Sequence, residues 1–259
     1  MRERRLVFGE VAELYDRHRP TYPDRLIDDL VAMARLDGSQ AVLEIGAGTG
    51  KATLLLAARG IPVLAVEPSV AMATVARRNC AAFPGVEIEQ SDFERWDPRG
   101  RRFPLLVSAQ AWHWVQPAAG YPRARKALVP HGTLAAFWNL VAWDRSELRE
   151  ALLDAYRTAP ELATDGPMHP ANLCADGEDW EAEIEAADGF TDPEIRDYDW
   201  GQDYSAEEYI GLLGTTSDIR LMDERPRTAL LDAVTTVIEA RGRPLTLPMR
   251  TRLCLARRG

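Results

Sequence analysis

Three alternating glycines follow a short apolar segment and form the part of the chain best suited to holding a ligand. The segment Val42-Leu43-Glu44-Ile45 predicts a buried strand, and Gly46, Gly48 and Gly50 come directly after it, before a helical segment that begins at Lys51. Glycines at a turn from strand to helix let a ligand approach the backbone closely, and the first amides of the helix point toward that ligand. The sequence therefore predicts a ligand site at this turn.

The spacing of the glycines departs from both common phosphate-binding patterns. A dinucleotide turn has the form G-x-G-x-x-G, but the sixth position is Lys51 when counted from Gly46 and Thr53 when counted from Gly48. A P-loop needs G-x-x-x-x-G-K-[ST], and here Ile45 stands at the first glycine position and Ala52 at the hydroxyl position. The pattern that remains is G-x-G-x-G behind an acidic strand end.

A second acidic side chain ends the next predicted strand. Glu67 lies 21 positions after Gly46, at the end of the apolar run 63–66. A carboxylate at this place can accept hydrogen bonds from both hydroxyls of a ribose. The same residue would suit NAD, and an ordinary exposed acid is the structural alternative. Together with the glycine turn, Glu67 favours ribose binding.

His113 is the residue best placed to move a proton. It follows the fourth predicted strand, where parallel sheets bind their ligands, and an imidazole can take a proton near neutral pH. We therefore predict His113 as a candidate general base. The alternative is a structural histidine held between Trp112 and Trp114. Trp112 and Trp138 follow strands four and five, so they either line a site for a cation or substrate or pack in the core.

Alternating strands and helices must position these residues. The helix predicted over 24–36 precedes the sheet, and further helices are predicted over 51–59, 69–80 and 121–128. A turn is expected at 130–132. The predicted strands are 41–45, 63–67, 86–90, 105–108, 133–137, 194–199 and 248–256. This order predicts a Rossmann-like, doubly wound α/β fold with seven strands, mostly parallel, the last one antiparallel.

Beyond residue 144 the pattern becomes mainly helical. Helices are expected through Tyr156, near 180–187, over 205–213 and over 225–241, around an irregular stretch at 160–176. We interpret 140–188 and 201–243 as a helical cap. The predicted organisation is an N-terminal segment and helix over the cofactor at 1–36, a ligand-binding core at 37–139, and cap elements interleaved with the last strands at 140–259.

Composition limits the partners. The formal net charge of −9 repels phosphate backbones and anionic lipids, so we expect neither nucleic acid nor a membrane as a partner. No apolar run reaches about 18 residues, and the first residues lack the apolar core of a signal peptide, so a cytoplasmic location is expected. The four histidines and three cysteines show no metal-binding spacing, so no metal is predicted.

These motifs together resemble a known family. The glycine motif resembles motif I of class I methyltransferases that depend on S-adenosylmethionine (SAM), and the set as a whole resembles the type 11, trans-aconitate methyltransferase-like group. The resemblance rests on Phe8-Gly9-x-x-Ala12-x-x-Tyr15-Asp16-x-x-Arg19-Pro20-x-Tyr22-Pro23, motif I at 42–50, Glu67, Ser91-Asp92-Phe93, Ala109-Gln110-Ala111-Trp112-His113-Trp114 and Gly132-Thr133-Leu134. The chain departs from the family at Pro104-Leu105, where an acid is usual, and at His131, where a second glycine is usual.

The resemblance implies a cofactor, SAM, with S-adenosylhomocysteine (SAH) as its product. Glu44, Gly46 and Gly48 would face the methionine part of the cofactor. Asp92 would accept a hydrogen bond from the adenine amine, and Phe93 would donate its backbone N–H to the ring. Ala109 would lie beside the cofactor at the end of the fourth strand.

The resemblance also implies contacts from other elements. Met72 would cover one face of the adenine, although a core role fits its helical spacing equally well. Tyr15 would pack near the methyl group, and Arg19 would meet a substrate carboxylate or form a surface ion pair. The residues expected to bind the substrate are Arg19, Trp112, Trp138 and Asn139.

The predicted activity is methyl transfer from SAM to a small molecule by a monomer or homodimer. Transfer to oxygen is favoured over transfer to carbon or nitrogen. Such an in-line displacement needs alignment in a dry pocket, and it needs a base only if the acceptor carries a proton. The alternatives are a SAM-dependent rearrangement or cyclisation, a SAM-sensing or scaffold protein without catalysis, and a nucleotide-dependent oxidoreductase, which would lack its sixth-position glycine.

Overall fold

The computed structural model describes residues 12–158, 168–171 and 179–259. The chain divides into two compact units. The core unit comprises 21–139, 176–198 and 251–259, and the helical unit comprises 1–20, 140–175 and 199–250. Parts of two predicted segments, the N-terminal segment at 1–11 and most of the irregular stretch at 160–176, lie outside the described residues. The predicted three-part organisation by role stays a prediction.

A seven-stranded sheet is the main structural feature. Its strands are β1 (Val42–Ile45), β2 (Val63–Glu67), β3 (Val86–Gln90), β4 (Phe103–Ala109), β5 (Leu128–Val141), β6 (Phe190–Tyr204) and β7 (Leu245–Arg258). The strand order is β3-β2-β1-β4-β5-β7-β6, with six parallel strands and the last antiparallel. The predicted Rossmann-like fold is confirmed.

The switch in strand order lies beside β1. This strand pairs with β2 on one side, in the register Val42↔Val63, and with β4 on the other, in the register Leu43↔Leu106. All four residues of β1 are buried, as its apolar sequence requires. In open parallel sheets the ligand crevice lies at the carboxyl ends of the strands next to such a switch. The glycine turn after β1 is at that place.

Helices connect the strands and make up most of the rest. The described helices are α1 (Ala12–His18), α2 (Asp24–Met33), α3 (Lys51–Ala57), α4 (Val70–Asn79), α5 (Pro117–Ala127), α6 (Arg149–Tyr156), α7 (Trp180–Ala186), α8 (Ala206–Leu213), α9 (Ser217–Arg220) and α10 (Glu224–Glu239). In the described part of the chain, no helix has the length and apolar character needed to cross a membrane.

Several predicted boundaries are wrong for identifiable reasons. The helix predicted to reach residue 36 ends at Met33, because Arg35 takes a left-handed conformation with φ of 51° and its amide bonds back to the carbonyl of Ala32. The turn predicted at 130–132 is instead an irregularity inside β5. Phe103 of β4 pairs with Leu128 and Leu105 pairs with Thr133, so the register between the two strands shifts at this point.

Each unit has its own hydrophobic core. In the core unit, the apolar face of α2 (Leu26, Ile27 and Leu30) packs in one cluster with the buried residues of β1 and β2. In the helical unit, a cluster joins α6, α8 and α10 around buried aromatic residues. Helix α7 was predicted as part of the cap but belongs to the core unit, where the Trp180 indole N–H donates to the carbonyl of Leu255 at 2.9 Å.

Candidate active site

The glycine turn after β1 requires glycine for two different reasons. Gly46, Gly48 and Gly50 have φ values of 70°, 58° and 87°, a region that side chains disfavour. A Cβ atom on Gly46 would lie 2.4 Å from the Cβ of Ala111, so the backbone leaves no room there. A Cβ on Gly48 would meet no atom of the described residues within 4 Å. Gly48 therefore exposes its backbone to the crevice.

Glu67 ties this turn to the end of β2. Its Oε2 atom accepts the backbone N–H of Gly48 at 2.8 Å, and its Oε1 atom accepts the N–H of Ser69 at 2.8 Å. Burial raises the pKa of this carboxyl, the two backbone amides oppose that shift, and the charge of Asp92 adds to it. Each carboxylate oxygen can accept a further hydrogen bond. The side chain is thus fixed in place with acceptor capacity remaining.

Glu44 is held differently, within β1. It is 1% exposed, and its Oε2 atom accepts the hydroxyl of Thr53 at 2.6 Å. Its Oε1 atom is buried and has no hydrogen-bond partner among the described residues. Burial, with a smaller effect from Glu67, raises the pKa of Glu44 to about 7, although the Thr53 hydroxyl opposes this. Thr53 lies on α3, and the glycine spacing gave no sign that its hydroxyl would bind Glu44.

The predicted adenine-binding residues follow β3. The carbonyl of Asp92 accepts the amides of Arg95 and Trp96, which closes one helical turn. Phe93 is buried, and its ring stacks on that of Trp96 at 6.3 Å. Met72 is also buried, on α4. The charge of Asp92 also contributes to raising the pKa of Glu67.

The end of β4 completes the crevice on the other side of β1. Ala109 is the last residue of β4. Gln110 takes a left-handed conformation with φ of 57°, and its backbone N–H donates to the carbonyl of Phe137 at 2.8 Å. This sharp bend brings Ala111 against Gly46. The sequence pattern gave no sign of the bend, because glutamine is uncommon in this conformation.

The Trp-His-Trp motif forms one turn of 3₁₀ helix, and its side chains separate. Trp112 is buried, and its indole N–H donates to the hydroxyl of Tyr121 at 3.3 Å. His113 is exposed, and its Nδ1 atom accepts the indole N–H of Trp138 at 3.0 Å. The His113 ring lies 4.7 Å from that of Trp114. The structure thus joins His113 and Trp138, while Trp112 contributes to the core; their predicted roles in catalysis and substrate binding stay predictions.

The remaining predicted substrate residues are engaged in structural contacts. The side-chain amide of Asn139 donates to the carbonyl of Thr21 at 2.8 Å and accepts the hydroxyl of Thr251 at 2.6 Å. In the helical unit, Arg19 lies over the ring of Tyr15 at 5.2 Å and donates to the hydroxyl of Thr215 at 2.7 Å. The predicted ligand contacts of these three residues stay predictions.

A bound metal ion would need several histidine, cysteine or acidic side chains close together in the structure. Among the residues it describes, no group of three or more histidine, cysteine or acidic side chains is placed to hold a metal ion. The described cysteines, Cys80 and Cys254, are buried and free. Cys174 lies outside the described residues.

Known proteins resemble this chain over most of its length. A family profile described as a methyltransferase domain matches residues 42–132. An uncharacterized methyltransferase from Mycobacterium tuberculosis is 30% identical over 233 residues, which are 90% of this chain and 86% of the relative. The chain belongs to the class I SAM-dependent methyltransferases. The predicted family and enzyme class are therefore confirmed.

Two further proteins are similar to this methyltransferase. A trans-aconitate 2-methyltransferase from Paracidovorax citrulli is 31% identical over 160 residues, 60% of this chain and 55% of that protein. A solved structure described as a type II methyltransferase of Anaeromyxobacter dehalogenans has a TM-score of 0.66 at 22% identity, and the match covers 92% of this chain and 97% of that one. The structural match concerns the fold.

Proposed function

We propose that this methyltransferase transfers the methyl group of SAM to an oxygen of a small carboxylic acid and releases SAH. The observation that carries the proposal is Glu67, a buried carboxylate fixed beside Gly48 at the carboxyl end of β2. With its two oxygens already anchored, it offers its remaining acceptor capacity to the two hydroxyls of a ribose without reorganising.

The other residues at the sheet edge fit the same cofactor. Glu44 has a buried oxygen without a hydrogen-bond partner in the described part of the chain, and the ammonium group of a bound amino acid would satisfy it, directly or through water. None of the described residues has an atom within 4 Å of the Cβ position of Gly48, which suits the close approach of a ligand. Asp92 and the backbone of Phe93 would bind the adenine, next to the ribose-binding Glu67.

SAM supplies a methyl group on a positively charged sulfur, and the protein has to align an acceptor with it. The acceptor class is proposed from the relative in Paracidovorax citrulli, whose name gives trans-aconitate as its substrate. A carboxylate is also the simplest oxygen nucleophile, because it carries no proton at neutral pH. The net charge of −9 continues to argue against nucleic acid as the acceptor.

The proposal is tested by incubating the purified protein with SAM and a panel of small di- and tricarboxylic acids that includes trans-aconitate. Mass spectrometry should detect a monomethyl ester and SAH in equal amounts. Matched panels of phenols, amines and thiols serve as controls for the acceptor atom. Methylation confined to those controls would reject the carboxylic acid, and SAH binding without any methylated product would reject the catalytic proposal.

A further inference from the structure

A cavity of the core unit is lined mainly by cationic side chains. Its volume of 270 Å³ is close to the lower end of the range of about 300–1,000 Å³ that is usual for small-molecule sites. It lies between the turn that follows β3 and the second half of α5. The residues that line it are Arg95, Trp96, Asp97, Pro98, Arg123 and Lys126. None of these six is among the residues predicted to bind SAM or the acceptor.

The positive charges in this cavity are only partly neutralised. Arg95 and Lys126 are exposed, and within the described part of the chain neither side chain forms a hydrogen bond or an ion pair. Arg123 donates to the backbone carbonyl of Trp96 at 2.9 Å, a bond that leaves its charge uncompensated. Asp97 is the one acid among the lining residues. The cavity therefore carries a net charge of about +2.

Two packed elements hold these cations together. Arg123 and Lys126 are three positions apart on α5, so they project from the same face of the helix. Arg95 lies on the turn after β3, which α5 contacts through the bond from Arg123 to Trp96. Trp96 is buried, and its indole N–H donates to Glu89 at 2.6 Å, which fixes the ring that lies between the cations. The cavity is thus part of the folded core unit and does not depend on a loose loop.

We propose that this cavity binds a phosphate dianion, either free or as a monoester of a small organic molecule. A phosphate monoester has three terminal oxygens that accept strong hydrogen bonds, and its charge near neutral pH is roughly −1.5 to −2. The two guanidinium groups and one ammonium group of the cavity equal those oxygens in number, and their net charge with Asp97 is similar in size and opposite in sign. A single carboxylate has two oxygens and one charge, so it would leave one cation unmatched.

The size and place of the cavity favour a small ligand that binds apart from the cofactor. The net charge of −9 disfavours a nucleic acid, whereas a small dianion needs only the local charge. Lys126 lies two residues before Leu128, the first residue of β5, so this side of the cavity is at the amino edge of the sheet. The glycine turn follows the carboxyl end of β1, at the opposite edge. A phosphate in the cavity would therefore leave the glycine turn open to SAM.

The test is an NMR titration of the ¹⁵N-labelled protein at constant ionic strength with inorganic phosphate, glycerol 3-phosphate and succinate. The two phosphates should produce saturable shifts of the Trp96 indole signal and of the backbone amides of 95–97 and 123–126. The indole of Trp180, which donates to the carbonyl of Leu255 at 2.9 Å in the same unit, is the internal reference and should not shift. Tighter binding of the ester would identify an organic phosphate as the ligand, and equal binding would identify free phosphate.

Substitution of the exposed cations connects the shifts to the cavity. Lys126→Gln and Arg95→Gln should each raise the Kd for phosphate at least about threefold, and the double variant should raise it at least about tenfold. Arg225→Gln is the matched control, because Arg225 is an exposed cation on α10 and its loss changes the net charge equally. Its Kd should equal that of wild type. Thermal unfolding of each variant checks that the protein is folded.

Several results would overturn the proposal. One is the absence of saturable shifts at the cavity in the wild type, a result that does not depend on any variant. Another is a Kd in folded Lys126→Gln and Arg95→Gln that equals the Kd in Arg225→Gln. Succinate binding as tightly as phosphate would reject the phosphate, and tighter binding of a single-stranded oligonucleotide to the same residues would indicate a nucleic acid instead. Loss of the phosphate shifts on addition of SAH would assign the phosphate to the crevice of the cofactor.

Discussion

Replacing Glu67 with glutamine tests the central binding residue with the smallest change in shape. The glutamine side chain keeps one acceptor oxygen and exchanges the other for an NH₂ group. In wild type, both oxygens accept backbone amides, from Gly48 and from Ser69, each at 2.8 Å. In the variant, one of those backbone amides must therefore lose its acceptor and face the NH₂ group of the glutamine, which is also a donor. We expect a loss of unfolding free energy of about 1–3 kcal/mol.

The effect on ligand affinity should be larger than the effect on stability. Two ribose hydroxyls bonded to a carboxylate contribute roughly 1.5–3 kcal/mol each. Since about 1.4 kcal/mol corresponds to a tenfold change in affinity, Glu67→Ala should weaken SAH binding by at least about a hundredfold. Glu67→Gln, which keeps one acceptor, should weaken it by about tenfold to a hundredfold.

The assay is calorimetric titration of cofactor-stripped protein with SAH, accompanied by thermal unfolding of each variant. Glu87→Gln is the matched control, because Glu87 is an exposed acid on the neighbouring strand β3 and its loss changes the net charge equally. The reasoning would be refuted if folded Glu67→Gln bound SAH within about threefold of wild type, less than one neutral hydrogen bond contributes.

Three further predictions concern the same sheet edge. Gly48→Ala and Gly60→Ala both place a side chain at positive φ, with no atom of the described residues within 4 Å of the new Cβ, so each should cost about 1 kcal/mol of stability. Only Gly48→Ala should weaken SAH binding by about tenfold or more, as calorimetry would show. Because the pKa of Glu44 is raised to about 7 from 4.5, the folded state holds its proton more tightly than the unfolded state. The resulting stabilisation is complete below about pH 4.5 and is lost as the pH rises through about 7. Urea titrations should therefore show that the free energy of unfolding of the wild type falls by up to about 3 kcal/mol relative to Glu44→Gln over that range. Asn139→Ala removes two hydrogen bonds and should lower the melting temperature through a loss of about 1–3 kcal/mol, with SAH affinity unchanged; a large affinity loss would instead point to a direct ligand role.

The parts of the site that the sequence predicts are those built from neighbouring residues. The strand 42–45 and the glycines after it form one local unit, so their pattern was enough to predict the turn at the carboxyl end of β1. The mostly parallel sheet followed from the alternation of helices and strands, because parallel neighbours need a crossover connection, usually a helix. Glu67 was placed correctly at the end of β2 for the same reason.

The features that escaped prediction depend on contacts between distant residues or on local backbone conformation. The bond between Trp138 and His113 joins residues 25 positions apart on different elements, and no periodicity encodes it. The close approach of Ala111 to Gly46 requires the left-handed bend at Gln110, and a glutamine does not predict that conformation. The irregularity in β5 arises from its pairing with β4, whereas the sequence around Pro130 reads as an ordinary turn.

The electrostatics of the strand ends bear on which ligand belongs there. Glu44 and Glu67 are both buried with raised pKa values. Beside the larger effect of burial, the charge of Glu67 adds to the pKa of Glu44, and the charge of Asp92 adds to that of Glu67. Backbone amides help Glu67 to stay ionised, whereas Glu44 has a single hydroxyl partner. A ligand that brings positive charge and hydroxyl donors lets both acids ionise, and SAM brings an ammonium, a sulfonium and a ribose. A dinucleotide would bring a pyrophosphate, and thus more negative charge, to the same edge. The acids of the crevice therefore favour SAM independently of the glycine spacing.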